Sequence, residues 1–250
     1  MDIKKVYEEG SISKYLIKDT TPTFMNSLRR TIMVDVPCLA IEEVNFYENT
    51  GIIFDEMLAN RLGLLPIKTD IKSYKKGDKV KLVLEKEGPG IVTTKDIKCT
   101  DPKIEILDKK IYITKLVKDQ KLKLEMTAIM ESGEKHAKFQ PAIVAYNELP
   151  YIDNEKVNSK NLKEIVESAP KGSIELKAGK LFLTDPYNTT IQNQPADTLA
   201  KYGAKVSYME NEFVLTIETT GQLTPQELIE SAVKEITTKL EELEEALKKL

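Results

Sequence analysis

The segment Thr224-Pro225-Gln226-Glu227-Leu228-Ile229-Glu230-Ser231-Ala232-Val233-Lys234-Glu235-Ile236-Thr237-Thr238-Lys239-Leu240-Glu241-Glu242-Leu243-Glu244-Glu245-Ala246-Leu247-Lys248-Lys249-Leu250 carries the clearest physical signal in the chain. Its first four residues form a capping box, with proline at the first helical position. Ile229, Val233, Ile236, Leu240, Leu243, Leu247 and Leu250 then alternate spacings of four and three. That is a heptad seam flanked by Lys and Glu on a helix on the order of 40 Å long. Each seam side chain stabilises by roughly 1.5–3 kcal/mol if fully buried, so the seam must pack on something. It can fold back on this chain or meet another polypeptide. The only other strongly amphipathic helix is much shorter, which favours an intermolecular contact.

That shorter helix spans residues 22–36. Thr21 is placed as its N-cap, Pro22 as its first residue and Pro37 as its stop. Phe24, Leu28 and Ile32 fall four apart, with Met25 alongside, and Asn26, Arg29 and Arg30 lie between them. One face is apolar and another cationic. Further inward, residues 4–18 and 39–47 read as strand, and Phe54 to Leu62 as a helix ended by Gly63 and Pro66. Alternation at Val80–Leu84, Ile104–Ile106, Ile111–Ile113 and Leu122–Met126 predicts a β-rich middle. A polar helix near 161–168 follows. Two strands, 205–208 and 213–218, are expected as a pair joined at Glu210-Asn211, and Gly221 breaks the chain before the last helix.

Composition excludes several function classes. The formal net charge of −3 gives no basic excess for neutralising phosphates, so no direct specific nucleic-acid binding is expected. One histidine, His136, cannot support Ser-His-Asp or Cys-His chemistry beside a nucleophile, nor a usual zinc enzyme site. No Walker loop or GxGxxG occurs. No catalytic residue is assigned. Cys38 and Cys99 are too few for a disulfide framework and suit a reducing compartment. No signal peptide or membrane span is read, so the chain is expected to be cytoplasmic, with no membrane partner.

The motifs, in order, resemble the D-type subunit family of archaeal DNA-directed RNA polymerase. Its relatives are the N-terminal domain of the bacterial alpha subunit and the third-largest subunit of eukaryotic polymerase II. The resemblance is carried by Asn26-Ser27-Leu28-Arg29-Arg30-Thr31 with Val36-Pro37, and by Asp55-Glu56-Met57-Leu58-Ala59-Asn60-Arg61-Leu62-Gly63-Leu64-Leu65-Pro66-Ile67. Gly88-Pro89-Gly90-Ile91-Val92-Thr93-Thr94-Lys95-Asp96-Ile97, His136-Ala137-Lys138-Phe139-Gln140-Pro141 and Glu218-Thr219-Thr220-Gly221 complete it. It implies a non-catalytic assembly subunit that pairs with a smaller subunit, L. The heterodimer would be the platform for subunits N, P and B. On that basis the L interface is expected at Phe24, Leu28, Ile32, Ile229, Val233, Ile236, Leu240, Leu243 and Leu247. In the related alpha subunit the last arginine of Leu-Arg-Arg contacts a large catalytic subunit. The resemblance thus assigns Arg30, with Arg29 beside it, to the large B-type subunit, although spacing alone fits a solvated face equally well.

Several family members carry a ferredoxin-like insert with the iron–sulfur run C-x₂-C-x₂-C-x₃-C-P. Counting back from Ala169-Pro170 places the four ligand positions at Ser159, Leu162, Ile165 and Ala169, none a cluster ligand. A cluster-free insert packed with hydrocarbon is expected, with no cofactor or metal. The expected fold is α+β: a discontinuous dimerisation domain of two helices plus sheet (1–38 and 204–250), a β-rich insert domain (39–149 and 191–203), and a ferredoxin-like insert lacking its cluster (150–190). A free-standing electron carrier fails for want of ligands. A coiled-coil adaptor unrelated to transcription would explain the last helix but not the ordered motifs, and it predicts a homodimer.

Overall fold

In the computed structural model the described residues are all except 156, 158–160, 189–194 and 250. In chain order they form strands β1 (Asp2–Glu9) and β2 (Ile12–Lys18), helix α1 (Pro22–Val34), β3 (Cys38–Asn49) and helix α2 (Asp55–Gly63). The middle holds β4 (Lys79–Glu87), β5 (Gly90–Thr93), β6 (Ile97–Cys99), β7 (Tyr112–Leu116), β8 (Lys121–Glu131) and β9 (Ala142–Asp153). Then come α3 (Leu162–Ser168), β10 (Ile174–Lys177), β11 (Lys180–Leu183), α4 (Ala196–Lys201), β12 (Lys205–Thr219) and α5 (Pro225–Leu247). No helix among the described residues is long and apolar enough to cross a membrane.

The chain divides into two compact units, residues 1–27 with 145–217 and residues 28–144 with 218–250. The cuts fall inside α1, β9 and β12. They differ from the expected divisions because residues 28–38 and the whole of α5 group with the central strands. In the first unit, β1 and β2 form a hairpin pairing Ile3 with Ile17 and Glu9 with Ile12, and Gly10 takes the positive φ its turn needs. The sheet order is β1-β2-β12-β9. β12 corrects the pair expected at 205–218: it is one strand of 15 residues. Asn211 adopts φ 58, a conformation asparagine tolerates, without reversing the chain.

A separate core lies in the second half of that unit. Leu162, Ile165 and Ala169 are buried with Ile152, Ile174, Leu181, Leu183, Leu199 and Ala204. The strands β10 and β11 form a hairpin through Ala178 and Gly179, both at positive φ as a two-residue turn demands. Leu199 and Ala204, from and just after α4, pack into this core.

The second unit is built on an antiparallel sheet in the order β3-β8-β4-β6. Alternation works as read: Val80, Leu82 and Leu84 are buried and cross from Leu124, Met126 and Ala128 on β8. Leu58 and Leu62 of α2, followed by Leu65 and Ile67, join that core. The segment Ile104–Ile106 buries both isoleucines, but its backbone makes only one bridge, Ile67 to Ile106, so it is not a strand.

Candidate docking site

The root of α5 is fixed by a polar lock. Gln222 is buried, its side-chain Nε2 donates to the carbonyl of Leu39 (3.1 Å), and its backbone carbonyl accepts from Thr69 N–H (2.9 Å). Thr220 donates from its N–H (3.2 Å) and its Oγ1 (3.0 Å) to the carbonyl of Pro141. Gly221 turns at φ 89 and donates to Thr219 Oγ1 (3.0 Å), which donates to the carbonyl of Leu223 (2.8 Å). The Glu218–Gly221 and His136–Pro141 motifs therefore meet here. Around Lys138 the second motif is structural. Its Nζ donates to the carbonyl of Ile41 (2.9 Å) and pairs with Glu42 (2.5 Å), 5.2 Å from the ring centre of buried Phe139. His136 Nδ1 accepts from Lys138 N–H (3.1 Å), capping the short turn Ala137–Phe139. Glu42 is held below the ordinary carboxylate range first by the Lys138 hydrogen bond, against the effect of burial, with Lys135 helping.

From that root α5 begins with the capping box read from sequence: Glu227 N–H reaches Thr224 Oγ1 (3.3 Å), and Thr224 N–H reaches Glu227 Oε2 (2.9 Å). The helix runs 23 residues, about 34 Å. Two stripes then diverge. Leu228 and Ala232 are buried, and two turns further on Lys239 makes an ion pair with Asp35 (2.8 Å). The heptad seam is a different stripe: Val233, Leu240, Leu243 and Leu247 are 46%, 60%, 56% and 59% exposed. Ile229 and Ile236 are half-buried, and every described residue from Thr237 onward is exposed. Leu250 lies outside the described residues.

On α1 the cap and the apolar stripe are both present. Thr21 Oγ1 caps Phe24 N–H (3.3 Å) as read, but Leu28 and Ile32 are 2% and 0% exposed, buried by this chain itself as Met25 is. Helical periodicity identifies an apolar stripe without telling which neighbour covers it. Phe24 is half-buried. Arg29 contacts Met33 Sδ (3.7 Å), whereas Arg30 is exposed. Sequence reading misses Leu228, Ala232 and the Asp35–Lys239 pair. On α5 their spacing of four, then seven, is hidden beneath the stronger seam.

Of the cluster-ligand positions, Leu162, Ile165 and Ala169 all lie in the hydrocarbon core described above, and Ser159 lies outside the described residues. Cys38 and Cys99 both belong to the other unit. Cys38 donates its thiol hydrogen to the carbonyl of Phe139 (2.9 Å), and burial pushes its pKa up to about 12. These residues do not fit an iron–sulfur cluster, which needs thiolates converging on one point.

A helix rooted in its own unit and displaying a heptad seam is the geometry of a helix-pairing module. The chain belongs to the RNA polymerase Rpb3/Rpb11 dimerisation domain family, whose model matches residues 14–240. It is similar to the DNA-directed RNA polymerase subunit Rpo3 of Halobacterium salinarum, 33% identical over 250 residues covering 98% of this chain and 97% of that one. The Rpo3 subunit of Methanosarcina acetivorans is 35% identical over 247 residues, 92% of each chain. That of Pyrococcus furiosus is 33% identical over 254 residues, covering 97% of this chain and 95% of that one.

Proposed function

We propose that this chain is a non-catalytic assembly subunit of a DNA-directed RNA polymerase. It pairs with a smaller subunit, L, and the pair is the platform on which N, P and B assemble in the cytoplasm. The observation that carries this reading is the exposed seam of Val233, Leu240, Leu243 and Leu247 on a helix rooted firmly in its own chain. Leaving four large apolar side chains in water at heptad spacing is unfavourable unless a second helix covers them. Kinship over nearly the full length with Rpo3 subunits supplies the assembly in which that helix would be found. The pairing surface is this seam of α5, with Ile229 and Ile236 at its half-buried margin.

Arg30 is the contact to the large B-type subunit, because its guanidinium is exposed on α1 while Arg29 is engaged locally. The insert works without iron: Leu162, Ile165 and Ala169 supply by packing the cohesion a cluster would supply by ligation. Co-production with an L-type subunit tests the function. A stable one-to-one complex that recruits the B-type subunit, with that recruitment lost on Arg30→Ala, is expected. A homodimer, or a chain that ignores L, would point instead to an adaptor outside transcription.

A further inference from the structure

Ile229, Ile236 and Leu243 hold one core position of the α5 heptad, and Val233, Leu240 and Leu247 hold the other. That assignment fixes the two flanks of the seam. One flank is Glu230, Thr237 and Glu244; the other is Ala232, Lys239 and Ala246. Charges on these flanks choose a coiled coil's partner and its direction. Lys239 is the only cation among the six.

A second copy of this chain has two ways to lie along the seam. Antiparallel, each flank meets its own kind, so glutamates face glutamates or threonine, lysine faces alanine or lysine, and no attractive pair forms. Parallel, each flank meets the other, and Lys239 of one copy reaches Glu244 in the following heptad of its partner copy. By symmetry that pair forms twice, and it is the one electrostatic contact that favours self-association. Glu244 is available for it: its ion pair with Lys248 (2.6 Å) leaves both side chains about two-thirds exposed, so exchanging it costs little.

Lys239, by contrast, is held. Its Nζ lies 2.8 Å from Asp35 Oδ1. Asp35 directly follows α1 and its N–H still donates to the carbonyl of Thr31 (2.9 Å), which puts its carboxylate at the negative end of that helix dipole. The last turn of α1 carries no basic residue, and the Asp35 side chain is only 16% exposed. The carboxylate therefore depends on a cation from elsewhere. Lys72 and Lys75 line the same cleft, yet Lys239 is the one in contact. Releasing Lys239 would strand a mostly buried charge, which costs more than an exposed pair on a coiled-coil flank returns.

We infer that Asp35 determines the specificity of the seam. By holding Lys239 it removes the one cation through which a second copy of this chain could pair, and so reserves the seam for a helix of different sequence. Resting on the function proposed above, that helix belongs to the L-type subunit. Partner choice then comes from penalising the wrong pairing as well as from favouring the right one.

The test is sedimentation equilibrium of the full chain, alone and with a purified L-type subunit. Wild type is compared with Asp35→Asn, Glu244→Gln and the two combined. Asp35→Asn keeps the side chain's shape and frees the lysine, so self-association should tighten at least about threefold at low salt and less at high salt. Adding Glu244→Gln should cancel that gain, whereas Glu244→Gln alone should leave self-association as in wild type. Binding of L by Asp35→Asn should stay within about twofold of wild type. A residue that merely braces the helix would act otherwise, with Asp35→Asn weakening self-association and L binding together. That result overturns the inference, as does unchanged self-association in Asp35→Asn. Amine labelling of the wild-type chain needs no variant: Lys239 should react several-fold more slowly than exposed Lys234, and equal rates overturn the inference. A wild-type chain that ignores L sinks the proposed function, while the self-association series still decides the role of Asp35.

Discussion

At the scale of single residues, Lys138 does more than its place in a short motif suggests. It satisfies the carbonyl of Ile41 and the carboxylate of Glu42 while covering the ring of Phe139. Lys138→Met keeps most of the hydrocarbon and removes the charge, so the chain should lose about 1–3 kcal/mol of stability, measurable by denaturant unfolding. Glu42 has a lower pKa in the folded chain than in the unfolded one, because Lys138 stabilises its charged form. Its contribution is therefore complete above the ordinary carboxylate range and disappears as pH falls through the lower folded value. Glu42→Gln should flatten that part of the acid limb in a pH series of melting curves. An unchanged limb would show that other carboxylates govern it.

At the scale of elements, α5 and α3 make opposite predictions. Leu240→Glu with Leu243→Glu alters exposed positions, so the isolated chain should unfold within about 0.5 kcal/mol of wild type while losing its partner. On α3, Ile165→Ala empties a fully buried site and should cost about 2–5 kcal/mol of local stability, read by hydrogen exchange across residues 162–183. What sequence alone reveals follows the same division. The α5 capping box, the α1 cap at Thr21 and the alternation of β4 and β8 are local patterns, and local spacing suffices to see them. Which stripe of α1 is covered within the chain is decided by residues far away in sequence, so spacing alone does not reveal that Leu28 and Ile32 are buried. The expected strand at 104–106 fails for a related reason: alternation accounts for the burial of Ile104 and Ile106 but does not extend their single bridge to Ile67 into a ladder.

At the scale of the whole molecule, two of the family motifs meet at the root of α5. Gln222, Thr220 and Gly221 seat the start of α5 against residues from the central sheet and from the His136–Pro141 segment. Beyond Lys239 the helix leaves its own chain, with Leu240, Leu243 and Leu247 uncovered. A chain built this way gains stability from association, so its melting temperature should rise with the concentration of an L-type partner. The variant with both seam leucines changed to glutamate should show no such rise. The most direct measurement is sedimentation equilibrium of the dilute full-length chain, alone and with a purified L-type subunit. A one-to-one heterodimer that the seam variant fails to form is predicted. A self-contained monomer indifferent to L, or a tight homodimer, would contradict the account.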